Sequence, residues 1–397
     1  MRPLQLAPNS IEKREAAHGA PVRKIVFYVD TDILSGHDLM TLAASNAIRE
    51  FFPAIEITWL TSSDNPRLLL RLRENNYPIS FLKGTPRDRL LKHPFATLRA
   101  VLSNVPKIRR LAPDIVVVAE GVVTLSFLGS IAARLARVSY CCYLPMGSLA
   151  SECNVESHAR LIDALWRFCY RHTANYITID EEQKRLIALR NPRTAIEVVE
   201  NYIPERGSAA CSPAEARKEW SIPGDRPVIG IIGRLSFAQK NQDWLVRQFE
   251  ADPFWKNYLV LIVGDGPDSA RLRQMVSQLE LQDQVRILGW SDKVDTLYPA
   301  LDLLLIPSRS EGVPLVMLEA LSHGVPVAGT NRDGMKEWLP EEWRFNLDDG
   351  EGMKRAVLAA LRRGEPEFWR ETRRHLNSIH NGKRFASEFL EAVLSFT

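Results

Sequence analysis

What this chain lacks narrows the field first. It has no apolar run near the roughly 20 residues needed to cross a bilayer, so no membrane span is expected. Its cysteines, Cys141, Cys142, Cys153, Cys169 and Cys211, form no CxxC pair and are odd in number. That excludes a disulfide framework and points to reduced thiols in a cytoplasmic setting. Residues 1–20 are polar with no apolar h-region, which predicts no signal peptide. Charge of one sign is scarce as well: 51 Lys and Arg against 48 Asp and Glu leave only +3, too little to suggest a nucleic-acid partner. GxxxxGK[ST] is absent, so a nucleotide must be held by some geometry other than a Walker loop. None of the eight histidines forms HExxH or a comparable grouping, and no metal site is expected.

What remains is the composition of a globular enzyme. The chain has 397 residues and an apolar fraction of 45%, enough for two domains. Strands are predicted in the first half at 24–29, 55–60, 78–82, 114–119, 138–144 and 175–179, with helical patterns between. Alternation at this spacing predicts an α/β fold with a parallel, doubly wound sheet.

Chemistry concentrates in the second half. In 302–327, DLLLIPSRSEGVPLVMLEALSHGVPV, a strand over Asp302–Ile306 runs through a turn-rich loop into a helix. Pro314 is expected at the first helical position, where its missing N–H costs nothing. The free amides of that first turn make an anion site. Glu311 lies in the loop beside it and Glu319 well inside the helix. A phosphate cradle between two acceptor-only carboxylates suits a ligand carrying diphosphate and sugar hydroxyls, although a lone pair of glutamates at this spacing also fits a capped helix with a solvated face. Upstream, the strand Pro227–Gly233 is followed by Arg234 and Lys240, a planar fork of donors and a point charge able to neutralise a departing diphosphate. Two more strands end in glycine, LVLIVGDGP over Leu259–Pro267 and VRILGW over Val285–Trp290.

In that order these segments resemble the C-terminal domain of the GT-B glycosyltransferases, in particular the retaining family called GT4, from about Val228 to Val327. The resemblance implies two doubly wound Rossmann-like domains facing across a cleft, an acceptor-side domain over 1–203 and a nucleotide-sugar-binding domain over 204–381. The linker lies near 196–204, with Asn201, and an amphipathic helix at 382–397 returns to the first domain. Gly233, Arg234 and Lys240 match positions around the donor diphosphate, with Gly264 in the next glycine turn. Leu288 and Gly289 match the loop whose backbone contacts the base. Glu311 with Gly312 faces the donor sugar, Val313, Leu315 and Val316 lie where backbone amides meet phosphate, and Glu319 bonds the ribose. The chain departs from the family in an Arg234–Lys240 spacing one residue longer than in many members. It also carries Arg332-Asp333-Gly334 where a double glycine is common.

The loop after the first strand, residues 30–38, opens a helix at Gly36, where close backbone approach to phosphate needs a residue without a side chain. Members often have a second glycine there; His37 stands in its place, either a donor or acceptor contact or a helix-capping histidine. Asp30 and Asp32 imitate a metal-binding DxD in a location wrong for one. Residues 66–110 hold eleven Lys or Arg against Glu74 and Asp88, interleaved with leucines. That pattern fits either a helix on an anionic membrane or a solvated basic face packing its leucines inward.

These features together predict a retaining, metal-independent glycosyltransferase. It would move a hexose-type sugar from a nucleotide-diphosphate donor to a sugar, lipid-linked or small-molecule hydroxyl acceptor, in polysaccharide, glycolipid or other glycoconjugate synthesis. Glu311, Arg234 and Lys240 are the candidate catalytic residues, with no cofactor beyond the donor and no resident metal. A nucleotide-sugar epimerase of GT-B fold and a non-catalytic nucleotide-sugar-binding protein are the alternatives.

Overall fold

The computed structural model describes residues 22–82, 94–121, 123–149, 151–152, 159–204, 211–224, 226–363 and 366–397. Lys83, Arg87, Asp88, Arg89, Lys92 and Cys153 lie outside them. The chain divides into two compact units. The first alternates β1 (Lys24–Val29), α1 (Gly36–Phe51), β2 (Glu56–Thr61), α2 (Pro66–Glu74), β3 (Ile79–Phe81), α3 (Pro94–Leu111), β4 (Ile115–Ala119) and α4 (Val123–Ala136). It continues with β5 (Ser139–Tyr143), α5 (Ala159–His172), β6 (Tyr176–Thr178), α6 (Glu181–Arg190) and β7 (Ile196–Val198). Its strands form one parallel sheet in the order β3-β2-β1-β4-β5-β6-β7.

The second unit consists mainly of Ile203–His380. It alternates α7 (Pro213–Glu219), β8 (Val228–Ile232), α8 (Phe237–Lys240), α9 (Gln242–Ala251), β9 (Leu259–Val263), α10 (Ser269–Gln278), β10 (Val285–Gly289) and β11 (Leu303–Ile306). There follow α11 (Leu315–Ser322), β12 (Val327–Thr330), α12 (Met335–Trp338), β13 (Arg344–Phe345), α13 (Gly350–Leu361) and α14 (Pro366–Ile379). Its parallel sheet runs β10-β9-β8-β11-β12-β13. The last helix, α15 (Gly382–Leu394), belongs to the first unit and packs on α1.

The elements form where their residues dictate. β4 and β9 are buried at every position, because helices cover both faces of a parallel sheet and exclude the polar half of an alternating pattern. Helix starts carry their own signals. Asn65 accepts the Leu68 amide ahead of Pro66, Asp180 accepts that of Gln183, and Ser212 with Glu215 forms a capping box. Burial pushes the Cys142 and Cys169 thiols up to about 12, which makes both structural rather than reactive.

Three boundaries differ from the sequence reading. Residues 196–198 form β7 instead of linker, and the two-residue β13 adds an edge to the second sheet. Both are too short to show a period, and each is held by backbone pairing to the strand before it. Pro314 is the residue before α11, with extended backbone, so the helix starts at Leu315.

Candidate functional site

In the second sheet β8 lies between β9 and β11, so its chain order reverses direction at β8 and β11. Connections leaving these two strands diverge, and a crevice opens at their carboxyl ends. The segments leaving there are the two that carry the predicted chemistry. After β8 come Gly233, Arg234 and α8, which ends at Lys240; after β11 comes the loop with Glu311 that leads into α11. Arg309 N–H donates to the Gln239 carbonyl at 2.7 Å, and Gln239 Nε2 donates to the Ser310 carbonyl at 3.2 Å. Lys240 Nζ donates to Glu311 Oε1. Residues 71 apart in sequence thus meet as an ion pair whose side chains are only 18% and 7% exposed. Asn241 adopts left-handed φ 59° to turn the chain into α9. Its side chain donates to Asp348 Oδ1 at 3.2 Å, while Arg309 pairs with the other oxygen at 3.2 Å.

Glycines set the floor of this edge. Gly264 follows β9 with φ +147°, and a Cβ there would sit 1.8 Å from the Gly233 carbonyl oxygen. Gly233 N–H donates to the Val263 carbonyl at 2.9 Å and Gly264 N–H to that of Gly289 at 2.8 Å. Three strand ends are therefore stitched together at backbone distance. Leu288 is part of β10 at a register shift between Ile287 and Gly289, not of the following loop, and it is 38% exposed.

Arg234 is partly buried at the end of β8, and its carbonyl accepts Gln242 Nε2 at 2.9 Å. Glu319 lies on α11 and accepts the Tyr298 hydroxyl at 2.7 Å; the Tyr298 ring stacks on His323. Gly312 and Val313 bridge Glu311 to Pro314, and Leu315 and Val316 form the first turn of α11, with amides facing the end of the helix that attracts anions. Asp333, between β12 and α12, accepts the Glu311 backbone N–H at Oδ2, 2.9 Å away. The sequence reading missed that contact, because an acceptor for a backbone amide leaves no spacing pattern.

In the first unit the analogous reversal falls between β1 and β4. Gly36 starts α1, capped by Ser35 and Asp38. His37 is 8% exposed, with Nδ1 2.7 Å from Ser35 Oγ, so its ring is part of the helix cap. It also lies against Gly121, where a Cβ would come within 2.8 Å of the imidazole. Glu120, fully buried beyond β4, accepts the Asp30 N–H at 2.5 Å. Neither Glu120 nor Gly121 belongs to a spacing that sequence inspection singles out. Asp30 is buried and Asp32 exposed, and among the described residues no group of three or more His, Cys, Asp or Glu is placed to hold a metal ion.

The basic region divides. On α2, Leu68, Leu69 and Leu72 are buried, while Leu70, 57% exposed, stays at the surface with Arg71 and Arg73. On α3 Val101, Val105 and Ile108 are buried, while Phe95 is 87% exposed, Leu98 53% and Leu102 49%. Among the described residues no helix is long and apolar enough to cross a membrane.

The family model of glycosyl transferases group 1 matches residues 226–363, the span that holds Gly233, Arg234, Lys240, Glu311 and Glu319. A 2-deoxystreptamine N-acetyl-D-glucosaminyltransferase of Streptomyces fradiae is 27% identical over 297 residues, 72% of this chain and 69% of that protein. A 2-deoxystreptamine glucosyltransferase of Streptomyces kanamyceticus is 30% identical over 254 residues, 60% of this chain and 65% of that protein. Among solved structures, HepE of Anabaena in complex with UDP and glucose superposes with a TM-score of 0.72 at 16% identity, covering 94% of this chain and all of that one (100%). Sucrose-phosphate synthase of Thermosynechococcus elongatus gives 0.74 at 16% identity, covering 93% and 98%. Two Rossmann-like parallel sheets give the chain the GT-B fold, and residues 226–363, which carry the motifs on the second sheet, are similar to the group 1 glycosyl transferases.

Proposed function

We propose that the chain transfers a hexose-type sugar from a nucleoside-diphosphate donor to a hydroxyl acceptor with retention of anomeric configuration. The observation that carries this reading is the meeting of Lys240 and Glu311 at the β8/β11 reversal, beside the N-terminus of α11. An ammonium has three donors, and only one is committed to Glu311, so the others serve phosphate oxygens. Arg234 supplies a forked donor and the α11 amides a fixed positive end, which together stabilise the leaving charge with no resident metal. Gly233 and Gly264 let the diphosphate approach the backbone, and the end of β10 at Leu288 is where the base rests. Glu311 holds the sugar and Glu319, oriented by Tyr298, the ribose.

In the reaction the bond from the anomeric carbon to the phosphate oxygen breaks as the acceptor oxygen bonds the same face. The acceptor proton passes to the leaving phosphate. That HepE was crystallised with UDP and glucose supports a uridine nucleotide as donor. The names of the two Streptomyces relatives support a small cyclic polyol as acceptor. The test is calorimetry with UDP followed by transfer assays over a panel of nucleotide sugars, with and without excess EDTA. The product anomer is read by proton NMR. UDP binding, EDTA-resistant transfer and an α product from an α donor are expected. Inversion, or loss of activity restored only by Mn2+, sinks the mechanism. Conversion of the donor sugar with no acceptor present favours an epimerase.

We further propose that α3 docks on an anionic membrane surface. Phe95, Leu98 and Leu102 are exposed at spacings of three and four residues, with exposed Arg99 and Arg109 beside them. That combination suits insertion into headgroups carrying negative charge.

A further inference from the structure

We propose that Asp333 is the positioning residue for Glu311, a carboxylate that fixes the backbone of the Glu311 loop from the turn between β12 and α12. This rests on the reading of Glu311 as the residue that faces the donor sugar. Two bonds tie the segments together. Glu311 N–H donates to Asp333 Oδ2 at 2.9 Å, and Gly334 N–H donates to the Gly312 carbonyl at 3.0 Å. The approach is close enough that a Cβ at residue 334 would lie 2.8 Å from both the Gly312 oxygen and the Val313 Cα. With Lys240 bonded to its carboxylate and Asp333 to its amide, Glu311 is held at both ends.

The conformation of Asp333 is unfavourable on two counts. Its φ is +49°, a region that non-glycine residues enter at a cost, eased for aspartate by local hydrogen bonding. Its carboxyl is also only 21% exposed. Burial pushes its pKa up, and the facing Glu311 carboxylate adds to that; the Glu311 N–H, Arg332 and Lys336 pull it down, with burial prevailing. A glycine would remove both penalties at this turn, but it would also remove the acceptor. The acceptor bond to Glu311 is the contact that the arrangement preserves.

Asp333→Gly and Asp333→Asn separate this role from a structural one. Glycine adopts the left-handed backbone freely yet offers no acceptor; asparagine tolerates φ > 0 and keeps a carbonyl oxygen in place. Asp333→Gly should melt at or above the wild-type temperature while kcat falls tenfold or more and the donor KM changes less than threefold. Asp333→Asn should keep most of the wild-type kcat at neutral pH. The ionised carboxylate is the better acceptor, and its raised pKa moves the loss on protonation to higher pH than an ordinary aspartate would. Asp333→Asn should therefore shift the acid limb of the kcat profile to lower pH. Wild-type turnover by Asp333→Gly across the pH range overturns the proposal, as does an asparagine variant no better than the glycine one. Hydrogen exchange over residues 309–314 gives a reading that needs no catalysis. It should accelerate in Asp333→Gly and stay at the wild-type rate in Asp333→Asn, and equal protection in all three also refutes the role. If the wild type transfers sugar from no nucleotide donor, the proposed function fails while this exchange comparison still decides the inference.

Discussion

Lys240 and Glu311 form an ion pair largely withdrawn from water. Glu311 is 6% exposed overall, and removing one member of a buried pair leaves the second without a countercharge, at a cost of about 3–5 kcal/mol. Lys240 retains 18% side-chain exposure, which places the expected loss at the lower end of that range. Lys240→Met and Glu311→Gln should each destabilise the protein, and the double variant should be more stable than the Lys240 single. Denaturant unfolding of the three measures the coupling directly; additive losses would mean the pair is not formed in solution. Function should separate along a different line. On the proposed assignment, in which the Glu311 carboxylate addresses the sugar, Glu311→Gln should reduce turnover more than UDP affinity. Glu319→Gln should chiefly weaken UDP itself, through the ribose. Arg234→Ala removes a charge-assisted donor worth about 1.5–3 kcal/mol, and so about 10- to 150-fold in UDP affinity. Calorimetry with UDP beside turnover assays tests the split, and the reverse pattern would exchange the roles of the two glutamates.

Elements differ in how plainly the sequence announces them. The runs at β1, β4 and β9 are legible because helices on both faces demand apolar residues at consecutive positions. β7 and β13 are invisible beforehand, since three and two residues carry no period and backbone pairing alone recruits them. The ion pair of Lys240 and Glu311 could be anticipated only through resemblance to a family, because periodicity does not say that β8 and β11 are neighbours. On α2 and α3 the same mixture of leucine and arginine differs in how much it leaves outside: α2 exposes one leucine, Leu70 at 57%, whereas α3 exposes three apolar residues, Phe95 at 87%, Leu98 at 53% and Leu102 at 49%. The vesicle prediction therefore belongs to α3 alone. Wild-type protein should sediment with anionic vesicles at low salt and be released at high salt, since exposed charges are screened within about 8–10 Å at physiological ionic strength. Phe95→Ser with Leu98→Ser should weaken sedimentation at least fivefold, and Arg71→Glu on α2 should leave it nearly unchanged. Wild type that stays in the supernatant at low salt would make the α3 face simply solvated.

At the scale of the whole molecule, the chain builds a first sheet, leaves that unit at Tyr202, builds a second sheet, and returns at Asn381 to add a helix to the first unit. α15 contributes Phe389, which is 1% exposed and lies 6.3 Å from the Phe27 ring and 6.0 Å from that of Tyr143. Phe385 stacks on Tyr202 at 5.0 Å, and Arg384 pairs with Glu200 at 3.1 Å, so the residues where the chain leaves the first unit are packed by the helix that returns to it. The last seventeen residues, Asn381–Thr397, are thus part of the first core even though Ile203–His380 of the second unit intervene in sequence. Phe389→Ala should cost about 3–5 kcal/mol, the range for emptying a buried aromatic site. Its effect should be confined: hydrogen exchange should accelerate across β1, β4 and β5, while β8, β9 and β11 keep their protection and UDP binding is retained. UDP should act in the complementary sense, slowing exchange around Arg234–Lys240 and Glu311–Val316 by mass action on the second unit alone. If Phe389→Ala instead removes protection from both sheets to the same extent, the units do not hold their cores separately, and α15 supports the molecule as a single cooperative body.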